Sequence, residues 1–322
     1  MTSTIPPELE RSRFTASVRR HHRELHVHCY RMLGSFEESE DLVQETFLRA
    51  WRARDTYAGR SSLRAWLYKI ATNACLDALD KRPRRVSATG EVAWLQPYPD
   101  ELLEELPGEG DDPEAAAVEK ETIELAYLVA IQHLPPLQRA VLILRDVLDC
   151  SVNETAEVLE TSAPAVNSAL QRARAAMKKH LPERRSEWPA NVDATAAERE
   201  LLARYVEASE RAELLGFKHL FSEDLRFSMP PVPGVWEGRE NVLQSWVDGG
   251  FGLEAFGSLR CVLTHANRQP AVVNYIRRPG DDRYSALAVD VLRIAEGTIA
   301  EIVTFDAAVF SSFGLPETLP RD

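Results

Sequence analysis

The residues best suited to chemistry on a nucleic acid sit in one stretch, 56–85. Tyr57, Trp66 and Tyr68 offer aromatic faces, and Arg60, Arg64, Lys69, Lys81, Arg82, Arg84 and Arg85 offer cations. Aromatic faces can hold unstacked bases, and Arg and Lys can hold phosphate. A segment that keeps a duplex open needs both at one place. Further along, residues 152–177 have the pattern of a helix-turn-helix, the usual reader of closed duplex. Ala156, Val158 and Leu159 supply a scaffold helix and Glu160-Thr161-Ser162 the turn. Val166, Leu170, Ala173 and Met177 face inward from the second helix. Ala163, Pro164, Asn167, Ser168, Gln171, Arg172 and Arg174 are left outward, with Ser162 as N-cap and Pro164 in the first turn. Asn and Gln can pair bidentately with adenine, and Arg can grip guanine or phosphate. A helical hairpin with a solvated basic face has the same pattern. Its place after an aromatic and basic segment favours the DNA reader.

The elements that must carry these groups are helices. Residues 38–54 place Leu42, Val43, Phe47, Ala50 and Trp51 at helical spacing, and Ser35 with Glu38 matches a capping box. Gly59, Ser61 and Ser62 mark a loop at 57–62. A helix resumes over 63–79, with Trp66, Leu67, Ile70, Ala74 and Leu76 as its apolar set, and Pro83 ends it. Trp66 reads equally as a core anchor, because tryptophan is usually largely buried. Four more helices are expected over 119–133, 136–147, 152–159 and 163–180, the third with Ser151 and Glu154 as a capping box.

Between the two helical sets, residues 86–113 read as a linker. Prolines 97, 99, 107 and 113 punctuate it, and residues 86–119 hold 10 acids and no Lys or Arg. Such a segment predicts a solvated tether. Trp94, Leu95 and Tyr98 are apolar exceptions able to dock on a partner. The formal net charge of −12 looks wrong for a DNA binder until it is divided along the chain. Residues 1–85 carry 16 Lys and Arg against 11 Asp and Glu, and residues 163–185 carry six bases against one acid. Residues 186–322 carry 13 bases against 21 acids. Affinity for DNA depends on local phosphate contacts, so the two basic regions are what count. The acidic tail could shield those basic surfaces in the free protein.

After about residue 196 the pattern changes. A helix over 197–215 and a turn at 217–221 precede alternating segments at 225–229, 259–267, 271–278, 284–295 and 299–306. Pro279-Gly280-Asp281-Asp282 and Glu296-Gly297 read as hairpin turns, which predicts an α+β domain on an antiparallel sheet. Tyr205, His219, Asp224, Trp236, Asp290 and Asp306 are its candidate pocket residues. No spacing among them marks an acid–base pair, and Trp236-Glu237-Gly238-Arg239 reads as a strand-to-helix turn. His21, His22, His26, His28 and Cys29 cluster on the first helix, but zinc needs a convergent third or fourth ligand, so a packed or solvated face is expected. The four cysteines are scattered without a Cys-x-x-Cys, which favours a reducing cytosol. The polar first 13 residues predict no signal peptide. No apolar run approaches the roughly 18 residues that span a bilayer.

Three blocks resemble bacterial sigma-70-family factors. Asp41-Leu42-Val43-Gln44-Glu45-Thr46-Phe47-Leu48-Arg49-Ala50-Trp51 is similar to their polymerase-binding helix. Arg64-Ala65-Trp66-Leu67-Tyr68-Lys69-Ile70-Ala71-Thr72-Asn73 resembles their region 2.3–2.4. Leu134-Pro135-Pro136-Leu137-Gln138-Arg139-Ala140-Val141 with Ala173-Arg174 resembles region 4. The lack of other sigma regions points to the short extracytoplasmic-function class. The tail is similar to SnoaL-like domains of the NTF2-like fold, a pairing that looks like the SigG-like group. The resemblance implies a multidomain chain of two all-α helical domains and an α+β NTF2-like domain. These would be region 2 at 11–85, an acidic linker at 86–113, region 4 at 114–182 and the SnoaL/NTF2-like regulatory domain at 198–315. It implies no catalysis and no cofactor, with core RNA polymerase (β′ clamp and β subunit) and promoter DNA as partners. A small ligand in the C-terminal domain, a cytoplasmic location and no membrane association complete that picture.

By position, Asp41, Gln44, Glu45 and Phe47 would meet the β′ clamp helices. Tyr57, Arg60, Ser61 and Ser62 would receive a flipped base of the −10 element. Arg64, Trp66, Lys69, Asn73, Asp77 and Arg82 would grip the melted strand. Ser162, Ala163, Pro164, Asn167, Ser168, Gln171, Arg172 and Arg174 would meet the −35 element. The family often has Lys and Arg at 167 and 169, where this chain has Asn167 and Ala169. That departure puts the usual −35 preference in doubt. Two other classes remain open. A regulator that binds DNA without polymerase would leave helix 41–51 unexplained. An enzyme with a tethered DNA-binding module would need turnover by its C-terminal part.

Overall fold

The computed structural model describes residues 14–57, 62–82, 86, 92–103, 122–181 and 195–321. Two compact units emerge. One holds both helical sets, and the other holds the C-terminal domain together with residues 86–101 and 123–125.

In the helical unit, residues 14–19 are helical ahead of α1 (His22–Leu33). Gly34, at φ 72°, closes α1 in the left-handed conformation that glycine adopts without steric cost. Then follow α2 (Phe36–Ala53) and α3 (Leu63–Lys81). Ser35 caps α2 by accepting from Glu38 N–H, and Ser62 caps α3 by accepting from Ala65 N–H. The second set is α4 (Leu125–Gln132), α5 (Pro136–Leu142) running into a π-turn (Ile143–Val147), α6 (Val152–Val158) and α7 (Ala163–His180). The Ser151–Glu154 capping box forms in full, and Ser162 accepts from Ala165 N–H.

The two helical sets share one apolar core. Leu25, Met32, Val43, Leu67 and Ala71 belong to the same cluster as Ile131, Leu134, Ala140, Val166 and Leu170. Burying each Leu, Val or Met contributes roughly 1.5–3 kcal/mol. The polar joint is Arg139, which is 3% exposed. Its guanidinium donates to Met32 O at the end of α1, to Gln132 Oε1 at 2.6 Å, to Gln132 O at 3.0 Å and to Leu134 O at 3.2 Å. A buried cation is tolerated because these carbonyls surround it.

The C-terminal unit opens with α8 (Ala196–Glu210), capped by a Thr195–Glu198 box, and α9 (Leu214–Lys218). Strands β1 (Phe221–Met229) and β2 (Val232–Glu237) lead to α10 (Arg239–Asp248). Gly238, at φ 88°, makes the expected strand-to-helix turn. Strands β3 (Ser258–Ala266), β4 (Gln269–Arg277), β5 (Tyr284–Ala295) and β6 (Thr298–Asp306) follow, then the short β7 (Thr318–Leu319). The sheet order is β2-β1-β6-β5-β4-β3, with β7 on β5. Among the described strands only β1 and β6 run parallel; the other pairs are antiparallel. Phe217, Phe221, Phe227 and Trp246 form an aromatic core against α8 and α10.

The solvated-tether reading of the linker is corrected over its described part. Leu95 and Tyr98 are 4% and 1% exposed, and they belong to the C-terminal unit. Residues 104–113 lie outside the described residues.

Candidate nucleic-acid interface

α7 presents its polar face as the periodicity requires. Val166, Ala169, Leu170, Ala173 and Met177 are buried, while Pro164, Asn167, Ser168, Gln171, Arg172 and Arg174 are exposed. Ser162 is exposed at the cap and Ala163 half-buried. Ala169 points into the core, so the missing cation at 169 takes nothing from the outward face. Arg174 is already engaged, giving two hydrogen bonds to the Asp146 carboxylate at 2.9 and 2.6 Å. The basic last turn, Lys178, Lys179 and His180, suits both the helix dipole and phosphate.

α3 is differently placed. Arg64 donates to Glu24 Oε2 at 2.6 Å and lies 4.9 Å from the centre of the Tyr68 ring. Lys69 Nζ donates to Glu157 O at 3.1 Å in the last turn of the scaffold helix α6 and lies 3.7 Å from Glu160 Oε1 in the turn that follows. Asp77 accepts from Arg49 at 2.7 Å, and Arg49 also donates to Glu45 at 2.8 Å. Trp66 is half-buried and stands 5.0 Å from Tyr57, ring centre to ring centre. It therefore serves as a core neighbour and still shows an edge. Asn73 is half-buried, and Arg82 and Ser62 are exposed. Arg60 and Ser61 lie outside the described residues.

Behind α3, His28 Nε2 lies 2.9 Å from Thr72 Oγ1, whose hydroxyl donates to Tyr68 O at 2.7 Å. Thr72 therefore accepts from His28, which places the proton of the neutral ring on Nε2. Burial pushes His28 down to about 3 and His26 down to about 4. His26 and His28 are thus packing on α1, while His21 and His22 are half-buried and face Glu24 and Glu40. Among the described residues no group of three His, Cys, Asp or Glu is placed to hold a metal.

α2 carries the residues expected to meet polymerase. Asp41 and Gln44 are exposed and Glu45 is half-buried, on one stripe of the helix. Phe47 sits about a quarter-turn away and packs toward the core beside His22. The apolar residue on the exposed stripe is Leu48, 52% exposed, which the sequence reading missed. A groove of about 290 Å³ between α2 and α3 is lined by Asp41, Glu45, Arg49, Asp77 and Arg82. It brings two sets of predicted contacts to one place.

In the C-terminal unit only Tyr205 and Asp290 of the six candidate pocket residues meet. Tyr205 Oη donates to Asp290 Oδ2 at 3.1 Å. The same carboxylate accepts from Asn274 Nδ2 at 2.7 Å and Thr304 Oγ1 at 2.6 Å, two partners with no sequence signal. Burial pushes Asp290 above the usual carboxylate range against those three bonds. His219, Asp224 and Asp306 are exposed, a correction to the pocket reading. Asp306 instead accepts from Ala308 N–H at 3.0 Å. Trp236 packs on Phe227 at 5.4 Å.

Comparison with known proteins gives this geometry a family. Residues 17–85 match Sigma-70 region 2, residues 124–177 match Sigma-70 region 4, and residues 202–302 match the SnoaL-like domain. The ECF RNA polymerase sigma factor SigG of Mycobacterium tuberculosis (strain ATCC 25618 / H37Rv) is 38% identical over 331 residues, covering 98% of this chain and 87% of its own. The chain belongs to the ECF RNA polymerase sigma factors. As a member of that family it serves transcription initiation by RNA polymerase. SigJ of the same strain is 28% identical over 288 residues, 85% of each chain. A crystal structure of Mycobacterium tuberculosis SigJ matches with a TM-score of 0.60 at 22% identity, over 93% of this chain and 98% of that one. That likeness concerns the fold, which the sigma factor here shares from its helical regions to its C-terminal sheet. No helix among the described residues is long and apolar enough to cross a membrane.

Proposed function

We propose that this sigma factor reads the −35 element with α7, holds the melted −10 strand with α3, and meets core polymerase through the exposed stripe of α2. The observation that carries the reading is the outward face of α7. Asn167, Ser168, Gln171 and Arg172 are all exposed on one N-capped helix. Amide and guanidinium groups so spaced suit base edges in a major groove. On α3, Arg64, Trp66, Lys69, Asn73 and Arg82, with Tyr57, Arg60, Ser61 and Ser62 before them, supply stacking and phosphate contacts. Flipping a base costs a few kcal/mol, which those contacts must offset. On α2, Asp41, Gln44 and Glu45 with Leu48 face the β′ clamp; the β subunit meets region 4.

The C-terminal domain regulates initiation through protein contacts and performs no catalysis. The Asp290 oxygens are occupied by Thr304, Asn274 and Tyr205, so this buried carboxylate is a satisfied core group. The protein works in the cytoplasm with the polymerase. In vitro transcription with core polymerase on a genomic promoter library tests the reading. Initiation from promoters with a shared −35 and −10 pair is expected. Folded protein and active core that give no initiation would favour a DNA-binding regulator independent of polymerase.

A further inference from the structure

The carboxylate of Glu24 gathers three donors. Arg64 Nε donates to Oε2 at 2.6 Å, Tyr68 Oη donates to the same oxygen at 3.2 Å, and His21 Nδ1 meets Oε1. Arg20 Nε donates to the other ring nitrogen of His21 at 3.3 Å, which places the His21 proton on Nδ1, facing Glu24. His21 and Glu24 stand at the start of α1, and Arg64 and Tyr68 in the first two turns of α3.

The three donors differ in their freedom. Tyr68 is 6% exposed, and its hydroxyl lies between Arg64 Nη2, at 3.4 Å, and Glu24. The His21 side chain is 13% exposed, whereas that of Arg64 is 54% exposed. Arg64 alone of the three is placed to turn toward solvent. It stands two residues after Ser62, beside the loop proposed to receive a flipped base.

What Arg64 leaves behind decides how readily it goes. Water can replace Lys69 at Glu160, whose side chain is 78% exposed. The Glu24 side chain is 14% exposed, and an unpaired charge so shielded is costly. His21 and Tyr68 still donate to it, however, and it lies in the first turn of α1, where the helix dipole favours an anion. The carboxylate can therefore stay ionised with Arg64 gone.

We infer that Glu24 is a positioning residue for the strand-holding helix: it stores Arg64 in the free protein and hands it to a phosphate of the melted strand, while His21 and Tyr68 stay on the carboxylate. The inference rests on the proposed role of α3 and adds the counter-ion that governs it. Arg64 is paired in both states, so strand binding reflects the difference between two anions competing for one guanidinium.

Anisotropy titration of a labelled −10 single strand, taken from a promoter at which the parent holoenzyme initiates, tests this with core polymerase and the full chain. Arg64→Ala should weaken strand binding about tenfold, the worth of a hydrogen bond to a charged group. Glu24→Gln keeps the shape and removes the charge. It should tighten binding roughly threefold, within the range of a partly exposed ion pair. In the Arg64→Ala background the same change should do nothing, because it acts through that side chain. Lost packing would weaken binding in both backgrounds, so a gain confined to the protein with Arg64 separates storage from structure. If Arg64→Ala weakens binding and Glu24→Gln does not tighten it, the inference is overturned and the reading of α3 survives. An equal gain in both backgrounds would also overturn it. Unchanged binding by Arg64→Ala would refute the α3 reading at Arg64, and the inference with it. If Glu24→Gln lowers the urea midpoint of the full chain, Glu24→Asp decides. It keeps the charge beside His21 and draws it back from Arg64, so tighter binding upholds the inference and unchanged or weaker binding sinks it.

Discussion

α3 and α7 are both polar-faced helices of the same compact unit, yet they stand in opposite conditions. On α7, four of the proposed reading residues, Asn167, Ser168, Gln171 and Arg172, are exposed, while Arg174 is tied to Asp146 and Ser162 caps the helix. On α3, Arg64 is held by Glu24, Lys69 by the end of α6, Asp77 by Arg49, and Trp66 lies against Tyr57. The helix proposed to read duplex is presented; the helix proposed to hold the melted strand is engaged by the protein's own groups. The difference fits the order of events at a promoter. In the proposed roles, closed duplex is met before a single strand exists, and the contacts on α3 would exchange for phosphate once it does. Since Lys69 meets α6, which packs under α7, moving one helical set bears on the other.

The comparison breaks most severely at Arg139. Arg139→Met leaves Met32 O, Gln132 O and Leu134 O without their donor, and should destabilise the helical unit by about 3 kcal/mol in urea unfolding. It should also release α3 from α6, seen as faster exchange of the Lys69 neighbourhood. Next come Asn167→Ala and Arg172→Ala on the presented face. Each should weaken binding to a −35 duplex by roughly 1–3 kcal/mol if it reads a base, whereas Arg172→Ala should reduce the salt slope if Arg172 holds phosphate. Titration measured by gel shift at several salt concentrations separates the two.

Acid should act on the engaged helix. Burial holds His28 at about 3 in the fold against about 6.5 when unfolded, so the unfolded chain binds more protons between those values. Its stability contribution is complete above about pH 6.5 and is lost as pH falls toward 3, by up to roughly 1.4 kcal/mol per pH unit. His28→Gln should flatten that limb of the pH–stability curve. The smallest effect belongs to Glu160→Gln. Its pair with Lys69 is exposed, and removing it should raise affinity for a −10 single strand by under about 1 kcal/mol while leaving −35 duplex affinity unchanged.

What the sequence made legible was local. Capping pairs three residues apart, Ser151 with Glu154 and Ser162 with Ala165, appear where the pattern puts them, because a cap involves one turn of chain. The inward stripe of α7 followed from period alone. Strand β2 was missed because Pro233 and Gly234 interrupt it and it pairs on one edge only. Phe47 and Leu48 differ by one residue, and apolar character does not say which faces out. Tyr98 of the linker is held by Asn267, 169 positions away, and the Asn267-Arg268 turn lacks the Asn-Gly signature. The Lys69 contact with Glu157 likewise joins residues 88 apart. Partners at such distances leave no trace in spacing.

The most direct test uses transcription from matched promoters, one fully duplex and one pre-opened across the −10 element by mismatches. Core polymerase is combined with the full chain or with Lys69→Ala, Asn73→Ala, Asn167→Ala or Arg172→Ala. The account predicts that the α3 variants lose initiation on duplex promoter and recover most of it on the pre-opened one. The α7 variants should stay impaired on both. Recovery of the α7 variants, or equal impairment of the α3 variants on both templates, would contradict the division of labour between the two helices.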